Sequence, residues 1–475
     1  MKKDLLTALF LYLFVAISSG HPFKPQHYVI VDTDGGIDDM RTICMLLASP
    51  DVRILCITAS PGVLSADNAY MKVKSMVNHL HHEGILIGIN ETNQKSKNCE
   101  AALRTTWGDE QKITSSGVPA GTEVVASILS CYPGPVTLLC LASLKPLEEY
   151  QENIPEFRKK IKKVVWSNKQ VLPPQGFNHE LSPTSLEQVK RMGIPFEMVN
   201  GDSPGDMYYD RYFLDLLGHI LTPYAIQFKA SFIDDTPYHL RWNDEMIAMY
   251  LHYPHLFHAD TISNMLFYQL DDSVSRSILF TSWFNILSGE TIPMSQVLKS
   301  VPVDTSHYFH DVQPIMMETI RKYGKTEWVS CVLANELHRH LGVYAIIGVK
   351  MGTRALEYFG AGIDEMTVVS HTGLIPPFSC MNDGLQVSTG ATLGHGLIKI
   401  STDTLIIPSA DFTYMNRTIR IILDEEIGKK IASEIQELNA IYGLNDEIYW
   451  YLVRQLAINY WASFDRNYIF KIIQL

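Results

Sequence analysis

Apolar positions along this chain follow two rhythms. Short β-branched runs at 28–31, 52–58, 85–89, 135–141, 163–166 and 196–199 alternate with stretches such as Met40, Ile43, Cys44 and Leu47, which fall at helical spacing. Strands alternating with helices predict βαβ units and a parallel sheet, with functional groups at the carboxyl ends of the strands, where the loops open. Residues 205–300 read as helix-rich and aromatic, with turns at Thr236-Pro237 and Tyr253-Pro254. Ser300-Val301-Pro302 breaks the pattern, and a second one starts near Asp311. It comprises a helix through Arg321, a Gly/Thr block at 387–396, strand signals at 405–407 and 418–423, and helices at about 425–442 and 446–461. The expected architecture is therefore α/β, an open and mostly parallel Rossmann-like sheet with flanking helices over 28–300. A smaller α+β domain over 310–475 follows it.

Length and composition agree with two domains. The 475 residues are 46% hydrophobic and 19% charged, which supports large cores and rules out a disordered chain. The 39 Lys+Arg against 51 Asp+Glu give a net charge of -12, and an acidic surface argues against nucleic acid, whose affinity comes from basic residues displacing counterions. At the N-terminus, Lys2 and Lys3 precede an apolar run at 5–17 and the small residues Ser18, Ser19 and Gly20. This is the pattern of a signal peptide over 1–20. It predicts an exported protein, periplasmic or secreted, with no stable membrane span after processing. Seven cysteines include no CxxC pair, and Cys99–Cys131 is the disulfide that export would permit. The basic run 158–163 reads as a solvated helix end, and His79-Leu80-His81-His82 as an exposed one. The aromatic stretch at 205–300 leaves room for a homo-oligomer.

The densest chemistry lies in Asp32-Thr33-Asp34-Gly35-Gly36-Ile37-Asp38-Asp39. Four aspartates within eight residues follow an apolar strand and precede an amphipathic helix. Asp32 and Asp34 share a strand face, the glycines permit a tight turn, and Asp38-Asp39 fall in the first helical turn. Carboxylates brought that close repel one another, and a hard divalent cation removes the conflict. Asp38 and Asp39 would also be favourable charges at a helix N-terminus, but that accounts for two of the four.

This string resembles the N-terminal signature of the nucleoside hydrolases of the inosine–uridine preferring type, and the resemblance runs to about residue 300. It implies Ca²⁺, a nucleoside or related ribosyl substrate, and hydrolysis of the N-glycosidic bond. Three weaker anchors follow in order. Leu144-Lys145-Pro146-Leu147 is similar to the loop whose backbone carbonyl ligates the ion, which assigns that carbonyl to Lys145. Gly176-Phe177-Asn178 is similar to a Glu-Phe-Asn sugar-binding stretch. Trp242-Asn243-Asp244-Glu245 sits where the family has a His-Asp pair. The implied metal set is Asp34, Asp39, the Lys145 carbonyl and Asp244. Asp34 would be the general base, Asn243 would occupy the leaving-group position, and Asp38, Phe177 and Asn178 would contact the sugar. Asp32 would fix the loop from behind. Three positions depart from the family: Gly176 for glutamate, Asn243 for histidine and Val63 for asparagine. A second expectation follows from them, a catalytically impaired protein that binds ribosyl groups with Ca²⁺.

Near the C-terminus, His338-Arg339-His340-Leu341-Gly342 and the block from Cys380-Met381-Asn382-Asp383 to Gly394-His395-Gly396 form a second constellation. Histidines two apart project to one side of an extended segment, and a Cys-x-x-Asp turn adds soft and hard ligands. A glycine-rich turn with hydrogen-bonded histidines is the alternative. These strings resemble the FmdE family, named for the formylmethanofuran dehydrogenase operon, over about 315–425, with Gly342 and Ala391 where cysteines are usual. The resemblance implies Zn²⁺ or another transition metal at His338, His340, Cys380 and Asp383.

Overall fold

Burial along the first strand sets the architecture. In β1 (His27–Thr33) every residue from Val29 onward is buried, and all of β2 (Val52–Ala59) is buried. Strands covered on both faces belong in the interior of a parallel sheet with helices on either side. Alternate residues point to opposite faces: Val29 and Val31 pack into one core, Ile30 into the other. The remaining strands are β3 (Leu86–Ile89), β4 (Val136–Cys140), β5 (Ile161–Ser167), β6 (Phe196–Val199), β7 (Phe257–Ile262) and β8 (Met265–Leu270). Their order is β7-β8-β6-β5-β4-β1-β2-β3, parallel throughout except at β7. The structure, a computed structural model, describes residues 25–171, 174–201, 208–232, 240–262, 265–291, 297, 301–402 and 406–475. The 1–20 segment and Thr236-Pro237 lie outside the described residues.

The chain leaves β1 toward β2 and β3 on one side, then crosses back to β4 on the other. The carboxyl ends of β1 and β4 therefore flank a topological switch point, where such sheets open a crevice. Asp32 pairs with Cys140 across this junction, and the Leu141 amide continues the ladder to the Asp32 carbonyl at 2.9 Å. The hairpin of β7 and β8 adds strands to a stretch, 205–300, expected to be helix-rich. In β7 the polar His258, Asp260 and Thr261 dilute the apolar signal, and pairing with β8 supplies what local pattern lacks.

The second sheet joins β9 (Thr367–Ser370), β10 (Ile398–Ile400), β11 (Ser409–Tyr414), β12 (Arg417–Leu423) and β13 (Phe470–Gln474) in the order β10-β9-β11-β12-β13. Only β9 and β10 run parallel, so this is an α+β region. The Gly/Thr block opens inside a helix, Met381–Thr389; of the strand signal at 405–407, Leu405 lies outside the described residues, Ile406 and Ile407 are in no strand, and β11 starts at Ser409. Among the described residues no helix is long and apolar enough to cross a membrane. All seven cysteines are free thiols, so Cys99 and Cys131 are not joined.

The second unit docks near the amino ends of the first sheet's strands, the end opposite the crevice. Glu365 accepts from Arg53 Nε at 2.5 Å, from the Tyr28 hydroxyl at 2.7 Å and from the Gly362 amide at 2.6 Å. Arg354 reaches Glu83 at 2.9 Å and the His81 carbonyl at 3.0 Å. His82, expected at an exposed helix end, is buried here instead. Its Nδ1 donates to the Glu357 carbonyl at 2.7 Å and its Nε2 takes the Tyr224 hydroxyl at 2.8 Å. Burial holds this imidazole neutral by lowering its pKa. Local sequence could not show this, because the covering surface arrives about 275 residues later.

Removing Glu365 leaves the Arg53 guanidinium buried and unpaired. Glu365→Ala is expected to cost about 3–5 kcal/mol in chemical denaturation, the range for breaking one side of a buried pair. A loss below about 1 kcal/mol would place this contact among surface ion pairs instead.

Candidate active site

A cleft of about 230 Å³ opens at the carboxyl ends of β1, β4 and β5, lined by Asp34, Asp38, Asp39, Val63, Leu141, Ser167, Asn168, Lys169, Gly176, Phe177, Asn178, Gly201, Asn243 and Asp244. It is smaller than the ~300–1,000 Å³ of drug-sized ligand sites, which suits a sugar-sized group with the rest of its molecule at the mouth.

Its floor is acidic. The strand delivers Asp34 at its end, and the turn at Gly35-Gly36 leads into the Ile37–Ala48 helix, which carries Asp38 and Asp39 in its first turn. Asp244 arrives from the start of the Glu245–His252 helix. Ligand oxygens of Asp38, Asp39 and Asp244 lie within 4.8 Å of one another, and no other group of three or more His, Cys, Asp or Glu side chains comes this close among the described residues. Asp39 Oδ2 accepts from Thr33 Oγ1 at 2.6 Å and from the Asp34 amide at 3.0 Å, and the Ser167 hydroxyl donates to Asp244. Asp34 Oδ2 is buried with no protein partner. Gly62 makes room for it: a Cβ there would stand 2.1 Å from Asp34 Oδ2.

Burial and mutual repulsion act together on these acids. Desolvation first, then the Asp38 charge, push Asp34 up to about 7 against the Val63 and Gly36 amides. Asp39 is raised well above the usual carboxylate range by burial and by Asp34, Asp244 and Asp38. Asp244 is raised by burial and Asp38. An orphaned carboxylate oxygen beside three convergent carboxylates is a donor set of hard oxygens with excess negative charge, and it fits a divalent cation such as Ca²⁺. Asp32 stands behind the cleft. It accepts from Thr58 and Ser60 at 2.7 Å and Asn90 at 2.9 Å, while burial raises it to about 7.

Of the residues singled out from the sequence, Asp34, Asp38, Asp39, Phe177, Asn178, Asn243 and Asp244 line this one cleft. Asn178 Nδ2 donates to the carbonyls of Leu141 (2.6 Å) and Ser167 (3.2 Å), tying the ends of β4 and β5 together. Lys145 is a correction. It heads the Lys145–Asn153 helix, whose carbonyls point along the axis toward the helix C-terminus, its ammonium pairs with Glu148 at 2.7 Å, and it is not among the residues lining the cleft. Leu141, directly after β4, lines the cleft instead, and its carbonyl accepts from Asn178. Leu141, Ser167, Asn168, Lys169 and Gly201 carry no motif. Only their places at strand ends could have flagged them. Gly176 has φ +129°, and a Cβ would lie 2.4 Å from Asn168 Oδ1, so this backbone admits no glutamate.

The C-terminal constellation differs from its expectation. His338 ends the Lys325–His338 helix, and Arg339 in the left-handed region (φ 67°) turns the chain, bringing the His340 ring to 4.2 Å from that of His338. The histidines therefore flank a helix end rather than an extended strand. His338 Nδ1 donates to Asp383 at 2.7 Å, and His338 Nε2 is buried without a partner. Cys380 is half-buried with its thiol pKa raised, by burial first and by Asp383. These four do not converge as a ligand set in the way the aspartates do.

Residues 29–263 match the family described as inosine-uridine preferring nucleoside hydrolase, and residues 337–453 the family described as FmdE, molybdenum formylmethanofuran dehydrogenase operon. A pyrimidine-specific ribonucleoside hydrolase RihA of Salmonella arizonae is 25% identical over 193 residues, 37% of this chain and 60% of that protein. A probable uridine nucleosidase 1 of Oryza sativa subsp. japonica is 26% identical over 146 residues, 29% of this chain and 45% of that one. The chain thus spans less than two thirds of either relative. Among solved structures, an inosine-uridine preferring nucleoside hydrolase from Bacillus anthracis aligns with TM-score 0.46 at 16% identity, covering 56% of this chain and 100% of that one.

Carboxyls raised in the folded state favour folding while protonated, so their contribution is present below the unfolded value of 3.8 and lost as pH rises through about 7. In EDTA, Tm is expected to fall across that window, and the gain in Tm on adding Ca²⁺ to be larger at pH 8 than at pH 5. A Tm in EDTA that is flat over this range, with an equal Ca²⁺ gain at both values, would contradict the electrostatic account.

Proposed function

We propose, from the match of residues 29–263 to the inosine-uridine preferring nucleoside hydrolase family and of residues 337–453 to the FmdE family, a Ca²⁺-dependent N-ribohydrolase joined to an accessory metal-binding region. The observation that carries the proposal is the convergence of Asp38, Asp39 and Asp244 beside the orphaned oxygen of Asp34, in a cleft also lined by Phe177 and Asn178. Asp34, Asp39, Asp244 and the Leu141 carbonyl would hold the ion. Bound there, Ca²⁺ supplies neutralisation of the buried charge, ligand positions for sugar hydroxyls and a lowered pKa for a nearby water.

The protein groups then divide the work. Asp34 Oδ2 has no competing protein donor and takes the proton from a water attacking the anomeric carbon. The bond to the nitrogenous base breaks with its electron pair leaving on the base. The transition state is oxocarbenium-like, and single displacement by water inverts configuration. Asp38 and Asn178 orient hydroxyls. Asn243 can donate a hydrogen bond to the departing base but has no proton to give, so substrates whose base leaves readily are favoured. Gly176 offers no carboxylate to the sugar, which leaves Asn168 and Lys169 at that rim. These two features also support a second reading, a ribosyl-binding protein that keeps the cation and turns over slowly. The 1–20 segment supports export to the periplasm or medium, and His338, His340, Cys380 and Asp383 are the candidates for a Zn²⁺-type site.

Ribose release from a panel of nucleosides is expected, stopped by EDTA and restored by Ca²⁺. Asp34→Ala should lower kcat by roughly 10²–10⁴-fold, the contribution typical of a positioned base. Calorimetric Ca²⁺-dependent ribose binding without ribose release over long incubation would favour the binding protein. For the second region, metal analysis of the full chain is expected to show a transition metal that falls in His338→Ala. An unchanged metal content in that variant would remove these residues from the proposal.

A further inference from the structure

The two arms of the acidic floor come from separate helices, and beneath them lies a buried ion pair with no part in the cleft lining. Arg41 follows Asp38 by three residues on the Ile37–Ala48 helix, and Glu245 follows Asp244 at the start of its own. Arg41 is 3% exposed and Glu245 is fully buried. The guanidinium lies 3.8 Å from Glu245 Oε1. Arg41 Nε also donates to Ser231 Oγ at 2.8 Å, and the Phe232 ring sits under the guanidinium, 3.8 Å from its centroid. Glu245 Oε1 accepts the Tyr209 hydroxyl at 2.7 Å, and Oε2 accepts the Asn243 amide at 2.9 Å.

We infer that Arg41 and Glu245 are positioning residues, a strut that sets the distance between Asp38-Asp39 and Asp244 and holds Asn243 at the cleft. The inference rests on reading the cleft as a cation site. Like charge on Asp38, Asp39 and Asp244 drives the two helix ends apart, and the opposite charges of the strut, a few residues deeper, draw them together. A buried ion pair is a poor way to gain stability, because well-packed apolar residues do as well. What charge and fixed hydrogen bonds provide is a defined separation. Glu245 adds a direct link, since the amide it holds belongs to the residue before Asp244.

The test uses the full chain with Ca²⁺ as the probe. Arg41→Met/Glu245→Met replaces the pair with apolar side chains. It is expected to keep Tm in EDTA close to that of the unaltered protein while weakening the calorimetric Ca²⁺ Kd by roughly 10–100-fold, as loss of supporting contacts around a metal does. Glu245→Gln should weaken Kd in the same direction, and Arg41→Lys, which keeps the charge, should retain most of the affinity. If the double variant does not fold, the two single variants decide. On any nucleoside that is cleaved, kcat should fall with the Ca²⁺ occupancy and recover partly at high Ca²⁺. Unchanged Kd in Glu245→Gln and in the double variant overturns the strut and leaves the cation site standing. An unaltered chain that binds no Ca²⁺ overturns both.

Discussion

Repulsion among buried carboxylates is the constraint on which this molecule turns. Asp34, Asp39 and Asp244 all sit in low-dielectric surroundings, and burial raises each of them. A fold whose purpose was stability alone would not collect such groups at one place. Their surroundings are built to keep them there. Gly62 clears space for Asp34, Thr33 and Ser167 donate to Asp39 and Asp244, and Arg41 pairs with Glu245 beneath.

The sheet topology turns that local strain into a site. Because the chain reverses direction of winding at β1, the loops after β1 and β4 diverge and leave a crevice. Asn178 closes one wall by donating to the carbonyls that follow β4 and end β5. Asp244 closes the other from a helix start more than two hundred residues along the chain from Asp34. The cleft is thus assembled from strand ends and helix starts, and its rim is where this chain departs from the pattern it resembles. The positive φ of Gly176 and the nearness of Asn168 make that departure a property of the backbone, not a single exchanged side chain.

The second unit meets the first at the opposite end of the sheet. Its buried contacts, Glu365 with Arg53 and Tyr28, and His82 with the Glu357 carbonyl, lie near the amino ends of β1 to β3. No residue of this second unit lines the cleft. His338, held by Asp383 through one nitrogen, keeps its other nitrogen buried and unpartnered, and neither residue lines the cleft.

Local pattern carried much of the architecture. The alternation of β-branched runs with helical spacing gave six of the eight strands of the first sheet, because strands buried on both faces must be continuously apolar. The turn from β1 into the Ile37–Ala48 helix was likewise legible, since Asp34, Gly35, Gly36, Asp38 and Asp39 are contiguous. What stayed hidden was whatever depends on partners distant in sequence. β7 pairs through its backbone and has little apolar signal, His82 is covered by a surface from the far end of the chain, and the histidines at 338 and 340 are oriented by a left-handed Arg339. The place of Leu141 at the cleft could not be read from its side chain, which carries no polar group. Sequence determined which groups carry charge and which segments must be buried. Only the tertiary structure decided which charges meet, because Coulomb energy and desolvation depend on distance and depth, and neither is written in the order of residues.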